Sequence, residues 1–288
     1  MRFGERHHRG IVMMRLAAFA FALFLSVAGS ATAQNASIWE QVQQNGVLRV
    51  GLIPNRPPYQ WENGGKLTGM SLKLAQDLAA ALEKDIGHPI RVENLVTSWS
   101  TLILDMQANR LDAFFGLTDT EERRKVVDMF GPLYAVPVVA IVRGNAPFGD
   151  KWEDLNKPGV TVAVTMGTSD EDQTRRALPN AKIDALKSGG DAILDVLSGK
   201  AQAFITPILI GAPLMQKNPV LNRMIILQPP YALPSGGASR RDADGKFAAF
   251  AQRWAQAYRA SGQAKQTILD AMQETGFDLT KISGGAEF

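Results

Sequence analysis

The feature that most constrains the fold is an alternation of short β-branched runs with amphipathic stretches of helical period. It is played through twice. Residues 47–53 (Val-Leu-Arg-Val-Gly-Leu-Ile) form a run stopped by Pro54, the pattern of a buried strand. Residues 71–85 then place Leu72, Leu74, Ala75, Leu78, Ala79 and Leu82 on one helical face, with Ser71 as candidate N-cap. Residues 90–96 read as a second strand, 99–108 as a helix and 111–115 as a third strand. After a loop at 144–149 the pattern restarts, with strands at 160–164, 183–186, 203–205 and 224–227. Helices between them are expected to about residue 178, over 188–198 with Ile193, Leu194 and Leu197 facing inward, and over 207–216. Two amphipathic helices, 242–259 and 263–275, close the chain. Alternation of this kind predicts α/β units with largely parallel sheets, and two sets predict two lobes.

The ends and the charge narrow the function classes. Residues 1–33 read as a secretory leader: Arg2, Arg6, Arg9 and Arg15, an uncharged apolar run over 16–28, then Ala31-Thr32-Ala33 as a small-residue cleavage site. The run falls short of the ~20 residues that cross a bilayer. Removing the leader's four Arg and single Glu from the chain's 31 basic and 28 acidic residues leaves 27 of each. The basic balance therefore does not argue for nucleic acid. Only His88 remains beyond the leader and there is no Cys, which speaks against multi-histidine metal sites, thiol chemistry and disulfides. No GxxxxGK[ST] run occurs, so ATP hydrolysis would belong to a partner. No cofactor is expected.

One stretch carries candidate chemistry. From Asp112, an apolar segment containing Phe114 and Phe115 runs into Gly116, then a polar turn at Thr118 to Thr120, then charged residues from Glu121. Thr118 or Thr120 can cap the helix that follows, and Thr118 with Glu121 fits a capping box. Gly116 permits close approach of a ligand, free N–H groups gather at a helix start, and Arg123 offers a planar fork matched to a carboxylate.

Six stretches in order resemble one family, the amino-acid-type periplasmic solute-binding proteins of ABC importers. They are Leu48-Arg49-Val50-Gly51; Pro57-Pro58-Tyr59; Gly65-Lys66-Leu67-Thr68-Gly69-Met70; Trp99 with the turn from Thr118 to Arg123; Phe130-Gly131-Pro132-Leu133-Tyr134; and Val162-Ala163-Val164 before Gly167-Thr168-Ser169. The resemblance implies two α/β lobes joined by two hinge strands, with 34–138 and 229–288 in one lobe and 143–224 in the other. The crossings would lie near 138–142 and 225–227. It implies that Arg123 grips a ligand carboxylate, with Thr118 and Gly116 at the same end. Thr165, Gly167, Thr168 and Ser169 would face it from the second lobe. Phe115, Arg56, Tyr59 and Thr206 complete the candidate contacts, although Phe115, like Trp99, has surroundings that suit a core.

Departures from the family pattern bear on the ligand. The acid that pairs an α-ammonium would fall at Pro207, beside Thr206, and the aromatic lid at Arg56. An ammonium in a cleft without a counter-charge would lose its hydration uncompensated. The expectation is therefore an amino acid or related small carboxylate, and more sharply a carboxylate that lacks a free α-ammonium or presents it differently, with Arg56 as a second cationic contact suited to a dianionic or aromatic acid. The partner implied is an inner-membrane ABC permease, and the protein is expected to be a periplasmic monomer. Two alternatives stand: an accessory or sensory binding protein, and an enzyme resembling cyclohexadienyl dehydratases. In the latter the catalytic Glu would fall at Ile210. Asp170, Glu171 and Asp172 are read as surface acids complementing a helix dipole.

Overall fold

The computed structural model describes residues 36–277, so the expected leader lies outside it. Helix α1 (Ile38–Asn45) is fixed by a capping box between Ser37 and Glu40 and ends at left-handed Gly46. Its Ile38 and Val42 are fully buried, so it belongs to the core and does not merely lie on the surface. Strand β1 (Val47–Leu52), the hairpin β2 (Trp61–Asn63) and β3 (Lys66–Thr68), and α2 (Met70–Ile86) follow. Helix α2 starts one residue before Ser71, after Gly69 at φ 125°, so Ser71 is not its cap. A Cβ at Gly69 would sit 2.3 Å from the Tyr59 carbonyl oxygen, which explains why a side-chain cap is absent. The buried face of α2 carries Leu74, Ala75, Leu78, Ala79 and Leu82. Next come β4 (Arg91–Val96), α3 (Leu102–Gln107), β5 (Ala113–Thr118) and the single-turn α4 (Glu121–Arg124).

The long strand β6 (Asp128–Val142) then spans the molecule. Beyond it lie α5 (Trp152–Leu155), β7 (Thr161–Thr165), α6 (Ser169–Ala177), β8 (Lys182–Leu186), α7 (Gly189–Ser198), β9 (Ala203–Pro207), α8 (Ile208–Gln216) and β10 (Arg223–Ile225). In α7 the inward residues are Ala192, Ile193 and Val196, whereas Leu194 is exposed. The chain returns through β11 (Ala232–Ser239) and closes with α9 (Lys246–Ala260) and α10 (Gln263–Glu274).

Strand order is β4-β1-β5-β11-β6-β9-β7-β8, with β10 on β6. The outer groups β4-β1-β5 and β9-β7-β8 are parallel, and β6 and β11 enter antiparallel between them. Strand β6 changes partner midway: residues up to Pro137 pair with β11, and Val138–Val142 pair with β9. Two α/β lobes thus share one strand that passes from sheet to sheet. Neither the first half of β6 nor β11 was expected as strand. Gly131, Pro132, Pro234, Gly236 and Gly237 interrupt both runs, and such residues ordinarily mark strand ends. Here a register shift between Ser235 and Gly237 absorbs them.

An ion network ties the first lobe together. The Asp112 carboxylate accepts from the Arg49 backbone N–H at 2.9 Å and from the Arg49 Nε and Nη2 at 3.0 and 2.6 Å. Arg240 lies 3.7 Å away on the other side and pairs with Asp242, which accepts from the Ile38 N–H. Asp112 thus joins β1 to the start of β5, and Arg240 links it to Asp242, which holds the start of α1.

Candidate functional site

A cavity of about 410 Å³ lies where the two lobes face each other. The first lobe supplies the loop after β1, residues 97–99, the end of β5 and Arg123. The second supplies the turn after β7, the residues around Ser188, and the end of β9 with the start of α8.

Arg123 lies in the single turn α4 and lines the cavity. Thr120 caps that turn by accepting the Arg123 N–H at 3.2 Å, so the cap is Thr120 and the Thr118–Glu121 box does not form. Thr118 instead ends β5, and its carbonyl accepts from Arg123 Nη1 at 2.8 Å. Burial pushes the Arg123 pKa down, opposed by the nearby Asp170 and Asp172. Among the described residues no carboxylate lies within ion-pair distance of it.

Arg56 is positioned by a stiff turn. Its N–H donates to the Gln60 carbonyl at 2.7 Å, and the Tyr59 N–H returns to the Arg56 carbonyl at 2.8 Å. The guanidinium lies over the Tyr59 ring, with Cζ 3.8 Å from its centroid, and faces Trp99 at 4.6 Å. Its Nη2 donates to the Gly116 carbonyl at 3.2 Å, while Nε and Nη1 are buried without a partner among the described residues. Burial lowers its pKa. Tyr59 accepts from the Tyr134 hydroxyl at 2.9 Å, which fixes the ring beneath. Gly116 has φ +81°, and a Cβ there would fall 2.6 Å from the Tyr59 ring. The glycine therefore makes room for the stack.

The second lobe brings Thr165, Thr168, Ser169 and Thr206 to the cavity. The Thr168 hydroxyl is already committed: it caps α6 by accepting the Glu171 N–H at 3.2 Å and donates to the Thr165 carbonyl at 2.7 Å. What this turn offers a ligand is therefore the first-turn N–H groups of α6. Gly167 stands at the rim, φ +77°, where a Cβ would lie 3.2 Å from the Trp99 Cβ. The lobes touch at that point.

Nine expected residues thus converge on the cavity: Arg56, Tyr59, Gly116, Thr118, Arg123, Thr165, Thr168, Ser169 and Thr206. Phe115 does not. It points to the opposite side of β5 from Gly116, fully buried against Phe130 and Trp254 at ring-centroid distances of 5.6 and 6.0 Å, as strand alternation requires. Trp99 does the reverse, lining the cavity while its edge packs on Phe114 at 5.8 Å.

Asp170 is the residue that sequence reasoning missed. It is not a surface acid. It is 8 % exposed, lines the cavity, and its pKa is raised to about 7 by burial, opposed by Arg123 and Arg56. Asp172 is exposed, whereas Glu171 is half-buried, pairing with Arg175 and accepting the Gly167 N–H. A signal existed: Asp170, Thr174 and Leu178 recur every four residues and are all buried, so Asp170 shares the inward face. The cleft is therefore not without an acid. Pro207 and Thr206 line it uncharged, but Asp170 supplies a carboxyl near by, so the cleft does hold a counter-charge for an α-ammonium.

Residues 48–274 match the bacterial extracellular solute-binding proteins, family 3. The chain belongs to that family. A probable amino-acid ABC transporter periplasmic-binding protein of Sinorhizobium fredii is 27% identical over 213 residues, covering 71% of this chain and 67% of that protein. A cyclohexadienyl dehydratase of Pseudomonas aeruginosa is 26% identical over 238 residues, covering 77% and 84%. Among solved structures, an ancestral amino-acid-binding protein described as a precursor of cyclohexadienyl dehydratase superposes with a TM-score of 0.70 at 28% identity, over 82% of this chain and all of that one. The two-lobe architecture of this solute-binding protein is thus the architecture of its relatives. No helix among the described residues is long and apolar enough to cross a membrane.

Proposed function

We propose that this solute-binding protein is the extracytoplasmic component of an ABC importer, exported by its leader and working as a periplasmic monomer. It captures an amino acid or related small carboxylate between two closing lobes and presents it to an inner-membrane permease. The observation that carries this reading is Arg123: a half-buried guanidinium, anchored by one nitrogen to Thr118, without a carboxylate partner, beside a cavity walled by both lobes. A carboxylate arriving there gains charge-assisted, two-pronged hydrogen bonds in a largely desolvated setting. The ABC-transporter role named for the S. fredii relative supports the importer assignment. The lobes are taken as 34–138 with 229–288, and 143–224. The exchange of β6 partners at Pro137 and Val138 supports a crossing there.

A thermal-shift panel of amino acids, small organic acids and their methyl esters tests the reading. An acid that raises Tm while its ester does not is the expected result. Equal effects of acid and ester would contradict a carboxylate grip.

One observation favours a second reading. Asp170, with a pKa near 7, could serve as an acid in a dehydratase like that of P. aeruginosa. Against it, the position that resembles the dehydratase Glu is Ile210, which lines the cavity with an alkyl group. Incubation with prephenate and with arogenate, followed by absorbance of the aromatic product, is expected to show no turnover.

A further inference from the structure

We infer that the cleft selects a net-anionic ligand bearing two acid groups, one held by Arg123 and the other by Arg56. The inference rests on reading the cleft as a carboxylate-binding site and specifies which carboxylates enter it.

The charge inventory of the cavity is lopsided. Its charged lining residues are Arg56, Arg123, Lys187 and Asp170. Lys187 is exposed at the edge and stays hydrated, so the interior holds two guanidiniums against one carboxyl. That carboxyl is itself only partly ionised near neutrality. The empty cleft therefore carries excess positive charge. A cationic amino acid would add to it, and a neutral zwitterion would leave it uncompensated. A ligand with two acid groups brings it towards neutrality.

Arg56 is built as a separate subsite. A surface arginine would turn its fork to water; this one is clamped between Tyr59 and Trp99 with Nε and Nη1 buried and unpaired. Charged donors left without partners are costly, and an anion beside them offsets that cost. The Arg123 Cζ is 5.9 Å from the Trp99 ring centroid and the Arg56 Cζ is 4.6 Å from it. The two Cζ atoms therefore lie no more than 10.5 Å apart, the sum of those distances. A short-chain diacid bridges such a span. Asp170 faces both guanidiniums, so an amino group on the diacid would find its counter-charge there.

Isothermal titration with paired probes tests this: glutamate against glutamine, glutarate against its monoamide, and L-arginine as the cationic control. The diacid of at least one pair is expected to bind roughly 10–100-fold tighter than its monoamide, the range of one charge-assisted contact. L-arginine is expected to bind more weakly than that diacid. Arg56→Gln should collapse the preference to within a few-fold while the monoamide still binds. Asp170→Asn should weaken glutamate and spare glutarate if the amino form is the ligand. Failure of both diacids to outbind their monoamides, or L-arginine binding as tightly as the better diacid, in the unaltered protein overturns the inference and leaves the carboxylate site standing. So does a preference that survives Arg56→Gln. If no acid in the panel binds, the carboxylate-binding reading falls, and this one with it.

Discussion

At the scale of single residues, the cleft stores unfavourable electrostatics that a ligand can relieve. Asp170 shows this most directly. Its pKa is raised from 3.8 to about 7, so the folded state holds a proton that the unfolded chain releases. Stability of the ligand-free protein is therefore lost as pH climbs from about 4 to about 7 on this group's account. Asp170→Asn removes that loss. The variant's advantage in urea unfolding is expected to grow between pH 5 and pH 8, by on the order of 2–4 kcal/mol at most; a difference that stays constant with pH would contradict the burial of this acid. Asp112 is the opposite case, a buried carboxylate fully committed to Arg49 and near Arg240. Asp112→Ala strands those cations, and a loss of ~3–5 kcal/mol is expected by the same unfolding assay. Gly116→Ala forces a left-handed backbone onto an L-residue and drives a methyl into Tyr59. A Tm drop together with weaker acid binding is expected, because the Arg56 stack rests on that ring.

At the scale of elements, the parallel strands and amphipathic helices were legible because their periodicity was unbroken. Strands β1, β4, β7, β8 and β9 all fall within two residues of the expected spans. What escaped was β11 and the first half of β6. Pro132, Pro234 and two adjacent glycines break the strand propensity that Phe130, Tyr134 and Val136 would lend. Both segments are strands because of what packs between them. A Cβ at Gly236 would lie 2.3 Å from the Phe130 carbonyl oxygen, and one at Gly237 2.1 Å from the Phe130 ring. These glycines let β6 and β11 approach across the bulge, a tertiary demand with no local signature. Gly236→Ala meets backbone and has nowhere to go, and a loss of ~1–3 kcal/mol is expected in unfolding experiments. Asp170 left a weaker local trace, its four-residue spacing with Thr174 and Leu178; among three consecutive acids at a helix start that trace is faint, and the packing of α6 makes it decisive.

At the scale of the whole molecule, Arg123 and the α6 turn belong to different lobes, and only a closed arrangement sets both against one ligand. On the proposed reading, a ligand shifts the population towards closure by its differential affinity for that state. The contact of Gly167 with Trp99 marks where the lobes meet. A side chain at that point is expected to hinder closure: Gly167→Asn, a residue that tolerates the left-handed backbone at φ +77°, should weaken ligand binding by at least about tenfold, with CD-monitored integrity retained. The central claim remains the grip of one guanidinium on an acid group between the lobes. The most direct measurement is isothermal titration of the best acid from the screen into the unaltered protein and into Arg123→Ala. Loss of a desolvated charge partner predicts a penalty of ~2–5 kcal/mol, about 30-fold or more in Kd. An unchanged Kd in Arg123→Ala would contradict the assignment of this cleft.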